Sequence, residues 1–283
     1  MNTCTTPTPR LACVMAVECL VRDRYDWAGV GPSREVHVAA EAGMADHDHV
    51  KEFFNRKAGS WTRKYALSGP LTHRLELFEE RLRQSVLPPA RVMELGCGTG
   101  NLAARLSELG YDVTGCDIAE AMLMAARQSF PASRARWQLL SAGSTRLPFE
   151  TATFDAVIAS SVLEYIENPE QSLGECLRVL NPSGVLIFSV PNPDHPVRRL
   201  ELVLRPAAVY LHAAPLPWPR RVQSILKYIT FSKNRFPLAY WEALAFRLGL
   251  ECLPAPAGAA GAMVLLAFRR RRSAPADLSE AGQ

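Results

Sequence analysis

Between residues 91 and 117 the sequence reads RVMELGCGTGNLAARLSELGYDVTGCD. A short apolar run, Val92-Met93-Glu94-Leu95, leads into three alternating glycines, Gly96, Gly98 and Gly100. Leu102, Ala103, Leu106 and Leu109 follow at helical spacing, Gly110 stops the helix, and a second β-type run over 112–116 ends on Asp117. Glycine lacks a Cβ, so the three can turn the chain tightly and offer backbone N–H groups at a helix N-terminus. Strand, glycine turn, helix, strand and acid make the first βαβ unit of a nucleotide-binding sheet, with ligands at the carboxyl edge of the strands. The terminal carboxylate can accept both hydroxyls of a ribose.

The pattern from Glu94 to Gly100 is E-x-G-x-G-x-G. A dinucleotide fingerprint is G-x-G-x-x-G, so this spacing argues against a nicotinamide-dependent oxidoreductase. The alternation continues beyond Asp117. Helix is expected over 119–130, strands over 137–140 and 154–159, a helix over 168–180 ended by Asn181-Pro182-Ser183-Gly184, and a strand over 185–190. A last helix over 238–248 precedes two final strands, 250–253 and 263–268, expected as an antiparallel pair. Such regular alternation indicates a parallel α/β sheet with right-handed crossovers. Residues 47–86 read as helices interrupted at Ser68-Gly69-Pro70.

Two regions leave this rhythm. Residues 1–45 mix Thr and Pro with scattered charges, which reads as a disordered extension, with Met44 an alternative natural start. Residues 191–237 carry eight basic residues against two acids, with many bulky apolar residues between them. This reads as an insertion of amphipathic helices that selects the substrate and suits an anionic or lipid-linked molecule or peripheral membrane contact. The tail over 273–283 reads as disordered.

A net charge of +4 is too mild to imply nucleic acid, and no Asn/Asp-Pro-Pro-Tyr/Phe motif follows the fourth strand, so no nucleic-acid partner is expected. None of the seven cysteines forms a C-x-x-C pair, which excludes the usual zinc spacing and fits reduced thiols in a cytoplasmic protein. No apolar run is long enough to span a bilayer.

From about 47 to 268 the chain resembles class I S-adenosylmethionine-dependent methyltransferases, in the ubiquinone/menaquinone-biosynthesis-like (methyltransferase type 11) group. The residues that carry the likeness are ELGCGTG (94–100), VTGCDIAEAML (113–123), LPF (147–149), TFDAV (153–157), LEYIENP (163–169) and LRVLNPSGVLI (177–187). The resemblance implies a Rossmann-like, seven-stranded, mostly parallel α/β sheet with helices on both faces. It adds N-terminal helices and a helical insertion after strand 5, in a methyltransferase domain spanning 46–272. The implied cofactor is S-adenosyl-L-methionine, and the implied reaction is methyl transfer to a small-molecule or lipid-like acceptor, with O-methylation favoured. The alternative is a non-catalytic cofactor-binding protein on the same fold.

Carried over position by position, the resemblance implies that Glu94, Gly96, Cys97, Gly98 and Gly100 hold the methionine and ribose portions. Asp117 would bind the ribose hydroxyls, Ile118 and Met122 would line the adenine pocket, and Ser160 and Ser161 would face the sulfonium. Tyr65 would close over the cofactor from the N-terminal helices, and Arg74 would pair with its carboxylate. The family's adenine-binding acid is missing: Gly143 stands there, followed by Ser144, so the backbone or the Ser144 hydroxyl must substitute. Tyr165 occupies the place of a histidine found in many relatives. The candidate catalytic groups are therefore His195, just beyond strand 5, and Tyr165, with Glu164 beside it. No metal site is expected.

Overall fold

The structure is a computed structural model that describes residues 46–65, 71–213, 219–254 and 261–271. The expected extension over 1–45 with Met44, the break at Ser68-Gly69-Pro70 and the tail over 273–283 lie outside the described residues.

Helix α1 (Asp46–Trp61), a 3-10 turn (Thr62–Tyr65) and α2 (Thr72–Arg83) precede the first strand. There follow β1 (Arg91–Leu95), α3 (Asn101–Glu108), β2 (Asp112–Asp117), α4 (Glu120–Ser129), β3 (Arg136–Leu139) and β4 (Phe154–Ser160). A short 3-10 turn (Leu163–Tyr165) leads to α5 (Pro169–Val179) and β5 (Leu180–Pro191). The insertion forms α6 (Pro196–Ala213) and α7 (Arg220–Phe231), before α8 (Leu238–Arg247), β6 (Leu250–Cys252) and β7 (Met263–Arg270).

The seven strands form one sheet in the order β3-β2-β1-β4-β5-β7-β6. All pairings from β3 to β5 are parallel, while β7 runs antiparallel to both β5 and β6. The chain winds outward from β1 to β3, then returns to place β4 on the other side of β1. That reversal is the switch point at which open α/β sheets bind ligands.

Side-chain alternation along the strands builds two cores. Met93, Leu95, Val157, Ala159, Leu186 and Phe188 face one side, where α5 and α8 cover them with Leu173, Leu177, Trp241 and Leu244. Val92, Ala156, Ile158, Val185 and Ile187 face the other, under Phe78 and Leu82 of α2 and Leu102 and Leu106 of α3. Strands with both faces covered are mostly apolar, which is why 156–159 and, Glu94 apart, 92–95 read as apolar runs.

Helix α5 starts where the sequence directs it. The Asn168 side chain accepts the Gln171 N–H at 3.0 Å, and Pro169 occupies the first turn, where no N–H is needed. Its end differs from expectation. Asn181-Pro182-Ser183-Gly184 does not separate the helix from the strand but belongs to β5, whose pairing with β4 slips between Leu180 and Val185. Asp155, opposite the slip, accepts the Asn181 side-chain amide and, at 2.8 Å, the Arg91 N–H, so polar bonds on the neighbouring strands replace the missing ladder.

Candidate active site

A cavity of about 780 Å³ opens at the carboxyl ends of β1, β2 and β4 and is roofed by α1 and α7. Its floor is the glycine turn. Gly96 and Gly98 line it with φ of 66° and 54°, a backbone conformation that side chains strain against. A Cβ on Gly96 would also collide with Val162.

Gly100 differs from its two neighbours. It does not line the cavity, and a Cβ there would drive into the Trp137 ring and lie 2.8 Å from the Ala126 Cβ. The close packing of α3 against β3 and α4 requires a glycine here, whatever its place in the expected cofactor set.

Asp117 is fixed by the turn it faces. Its Oδ2 accepts the Gly98 N–H and its Oδ1 accepts the Ala119 N–H, both at 2.8 Å. Burial raises its pKa, and the amides of Ala119, Gly98 and Ile118 pull it back down. Glu94 is less well provided for. It is buried in the cavity wall, and its Oε2 has no hydrogen-bond partner among the described residues. Burial, only partly offset by the Ala103 amide, and then the nearby Asp117 charge push its pKa from 4.5 to about 8. Cys97 also lines the cavity, and burial pushes its thiol well above the usual range, so it is no thiolate nucleophile at neutral pH.

Ile118, Met122, Tyr65, Arg74, Gly143, Ser144, Ser160 and Ser161 all line the same cavity. Ser161 adopts φ of 55°, rare for a residue with a side chain, and is held there by its own N–H donating to Ser189 Oγ at 3.0 Å. The Arg74 guanidinium donates to its hydroxyl at 2.9 Å.

The missing adenine acid has a steric counterpart. Gly143 has φ of 75°, and a Cβ on it would lie 2.7 Å from the His47 imidazole of α1. An aspartate there would have to displace the His47 ring. The Ser144 hydroxyl is occupied too: it donates to the Arg146 carbonyl at 2.8 Å, so it is not a free donor for a base.

Of the two catalytic candidates, only Tyr165 lines the cavity. Its ring packs edge-on against Phe54 at 5.2 Å and Tyr228 at 6.5 Å. Burial, reinforced by the Glu164 charge, holds its phenol well above the usual range, which makes it unsuited to serve as a base. His195 lies off the cavity. Its carbonyl opens α6 by accepting the Arg198 and Arg199 N–H groups, and its Nδ1 is buried without a partner among the described residues. The expected base therefore does not stand among the residues that line the cavity.

The roof holds residues not singled out as site residues in the sequence: His47, Lys57, Lys64, Arg198, Ser224 and Tyr228. Helices α6 and α7 are clamped to the 3-10 turn after β4. The Glu164 carbonyl accepts the Lys233 and Asn234 N–H groups, and its buried carboxylate accepts the Ser232 hydroxyl at 2.6 Å. Glu201 of α6 accepts Arg198 Nη1 at 2.8 Å and Arg235 Nη1 at 2.6 Å, and Arg198 also donates to the Tyr228 hydroxyl at 2.5 Å.

No helix among the described residues is long and apolar enough to cross a membrane, and no cluster of His, Cys, Asp or Glu among them could hold a metal ion.

Residues 93–188 match the methyltransferase domain family. The chain is 30% identical over 171 residues to a malonyl-[acyl-carrier protein] O-methyltransferase of Legionella pneumophila, covering 60% of this chain and 58% of that protein. It is 36% identical over 129 residues to a demethylmenaquinone methyltransferase of Clavibacter sepedonicus, covering 44% and 52%. The chain thus spans little more than half the length of the curated relatives it matches. Magnesium protoporphyrin IX methyltransferase from Synechocystis PCC 6803, solved with SAH bound, shares the fold with a TM-score of 0.57 at 19% identity, over 79% of this chain and 99% of that one.

Proposed function

We propose that this chain, whose residues 93–188 form a methyltransferase domain, transfers a methyl group from S-adenosylmethionine to a small, lipid-like acceptor, with oxygen favoured as the methylated atom. The observation that carries the reading is the cavity at the switch point. It joins two ligand-facing glycines, an amide-fixed Asp117 and a buried, unpartnered Glu94 carboxyl. These groups fit the cofactor. Two of the roughly four lone-pair sites of the Asp117 carboxylate remain for ribose hydroxyls, and the Glu94 carboxyl suits the α-ammonium of the methionine portion. Arg74 suits its carboxylate, while Ile118 and Met122 supply an apolar wall for the adenine. His47 over Gly143 replaces the usual acid at the adenine edge.

When bound, S-adenosylmethionine supplies an activated methyl on a sulfonium. The chain's task is then to place the acceptor atom in line and exclude water. Tyr165, held as a neutral phenol, orients the acceptor by donating a hydrogen bond. The helices of 191–237 form the acceptor-selecting wall through Ser224, Ile225 and Tyr228.

Calorimetry with S-adenosylmethionine, S-adenosylhomocysteine and NADH tests this. Both sulfur compounds should bind and NADH should not; no binding of either sulfur compound sinks the proposal, and binding without turnover of any acceptor favours a non-catalytic binding protein.

Glu94 adds a proton-linked signature. A carboxyl whose folded pKa is raised stabilises the protein most below 4.5, and that contribution is lost as pH rises toward about 8. At pH 7 the free protein holds this proton, and a cationic ammonium beside the carboxyl favours its release. Cofactor binding at pH 7 should release about one proton, seen as a dependence of the apparent enthalpy on the ionisation enthalpy of the buffer. In Glu94→Gln the release should vanish, and with it the loss of stability between pH 4.5 and 8. A release that persists in that variant would assign the proton to another group.

The lipid-like acceptor rests on α6. Val197, Leu200, Val203, Leu204 and Tyr210 recur along one side of this helix and point outward, Val203 and Tyr210 being 75% and 74% exposed. Arg199 lies among them on the same helix, and exposed Ile225 of α7, the helix packed on α6, also lines the cavity. An outward apolar stripe with a basic residue among it suits the surface of an anionic bilayer. Replacing Leu200 and Val203 by Ser should weaken sedimentation with phosphatidylglycerol vesicles roughly tenfold without lowering the melting temperature. A wild-type protein that ignores such vesicles removes the membrane contact.

A further inference from the structure

The roof of the cavity carries an excess of positive charge that the cofactor reading leaves largely unused. Lys57, Lys64 and Arg74 all line the cavity. Among the described residues, none of the three has a carboxylate within ion-pair distance. The acids that share the cavity are engaged elsewhere or lack a cationic partner. Asp117 is held by backbone amides, Glu164 by Ser232, Glu175 by Arg178, Glu167 faces His47, and the Glu94 oxygen is unpartnered. Lys64 lies within electrostatic range of both Lys57 and Arg74. Burial first, then Lys57 and Arg74, hold the Lys64 ammonium below its usual range. Half-buried like charges on one cavity wall favour an anion between them, because each cation raises the cost of the next.

The three are not equivalent. Arg74, on α2, bonds Ser161 at the end of β4 and stands beside Tyr65, on the side where the Glu94 carboxyl and the glycine turn lie. Lys57, on α1, is tied to the other wall. Its ammonium donates to the Ser224 hydroxyl of α7, and it lies 5.4 Å from the centre of the Phe53 ring. Ile225 and Tyr228 of that same helix line the cavity next to Ser224. Lys64 lies over the Trp61 ring at 3.7 Å, in electrostatic reach of both Lys57 and Arg74.

We propose that Lys57, supported by Lys64, binds a negative group on the methyl acceptor, a carboxylate or a phosphate monoester at one end of an apolar body. The proposal rests on the methyl-transfer reading and narrows its acceptor. Arg74 is left to the single carboxylate of the cofactor, so the roof sorts two anions between two ends of one cavity. The aromatic and apolar residues around Lys57, Phe53 and Ile225 among them, supply the surface that an acyl or prenyl body would cover. Desolvation there strengthens the charge pair and excludes neutral amphiphiles of the same shape.

The test uses dodecanoate and dodecyl phosphate as anionic probes, which distinguish the two head groups, and dodecanol as the neutral control. Each is titrated by calorimetry below its aggregation threshold, with and without S-adenosylhomocysteine. At least one anion should bind ten times or more tighter than dodecanol. Lys57→Gln should abolish that preference, Lys57→Arg should keep most of it, and the affinity of both variants for S-adenosylhomocysteine should stay within threefold of wild type. Equal binding of anions and dodecanol, or no binding of any, overturns the proposal. So does a Lys57→Gln variant that loses S-adenosylhomocysteine affinity while keeping the anion preference, since Lys57 would then serve the cofactor. A wild-type protein that fails to bind S-adenosylhomocysteine sinks the methyl-transfer reading, and the titrations without it still decide the anion site.

Discussion

Glu201→Ala is expected to lower the stability of the protein by about 3–5 kcal/mol and to loosen α6 and α7 from the sheet edge. Glu201 is the acid on which two guanidinium groups converge, Arg198 at 2.8 Å and Arg235 at 2.6 Å. The Arg235 side chain is 2% exposed and the Glu201 side chain 18%, so water cannot take over the bonds that are lost. Arg235 keeps the Ser232 carbonyl at 3.1 Å, but its Nη2 already lacks a partner. Glu164, the next acid in the network, is bound by Ser232 and has its pKa raised by burial, so it compensates poorly. The measurement is the urea midpoint, with limited proteolysis between α6 and α8 as the local readout. Glu201→Gln, which keeps an acceptor oxygen, should fall between wild type and Glu201→Ala. A loss below about 1 kcal/mol in the alanine variant would show that the network behaves like a surface pair.

This network marks the limit of what the sequence discloses. The β1–glycine turn–α3–β2 unit and its terminal Asp117 are legible because every signal is local: apolar runs, three glycines in alternation and a helical period within 27 residues. Parallel strands need apolar side chains on both faces and glycines where backbone turns, so composition and conformation point to the same element. The roof obeys no local rule. Lys57 meets Ser224 across 167 positions, His47 reaches Gly143 from the other end of the domain, and Glu201 meets Arg235 across 34. Each is a polar side chain whose partner is set by how helices pack, and nothing in its neighbourhood in sequence names that partner. The place of His195 off the cavity has the same origin. Its position after β5 marks the ligand-binding edge, but the chain turns there to begin α6, and the histidine supplies its carbonyl to the helix. Gly100 shows the converse: it stands inside the motif, yet what its missing side chain makes room for is the Trp137 ring.

Asp117→Ala is expected to weaken S-adenosylhomocysteine binding by about 1.5–3 kcal/mol, roughly 10- to 150-fold. The aspartate has two tasks that the substitution removes together. It accepts the Gly98 and Ala119 N–H groups at 2.8 Å, which holds the glycine turn against the end of β2, and it offers its remaining lone pairs to the ribose. Affinity alone cannot separate the two, so the ligand must be varied as well. An S-adenosylhomocysteine analogue lacking both ribose hydroxyls should bind wild type weakly, and its affinity should change little in Asp117→Ala, because the bonds it cannot make are the ones the variant cannot offer. If the variant instead loses the analogue and S-adenosylhomocysteine by the same factor, the residue acts through the turn and not through the ribose. Asp117→Asn sharpens the comparison. The amide keeps one acceptor oxygen but turns an N–H₂ group toward a backbone N–H, so one of the two turn bonds becomes a repulsion and the melting temperature should fall. An Asp117→Ala protein that melts cooperatively and binds S-adenosylhomocysteine as tightly as wild type would remove Asp117 from the site. It would also leave the cavity's recognition of a nucleoside to Glu94 and the glycine backbone, which carry no group placed at the end of β2.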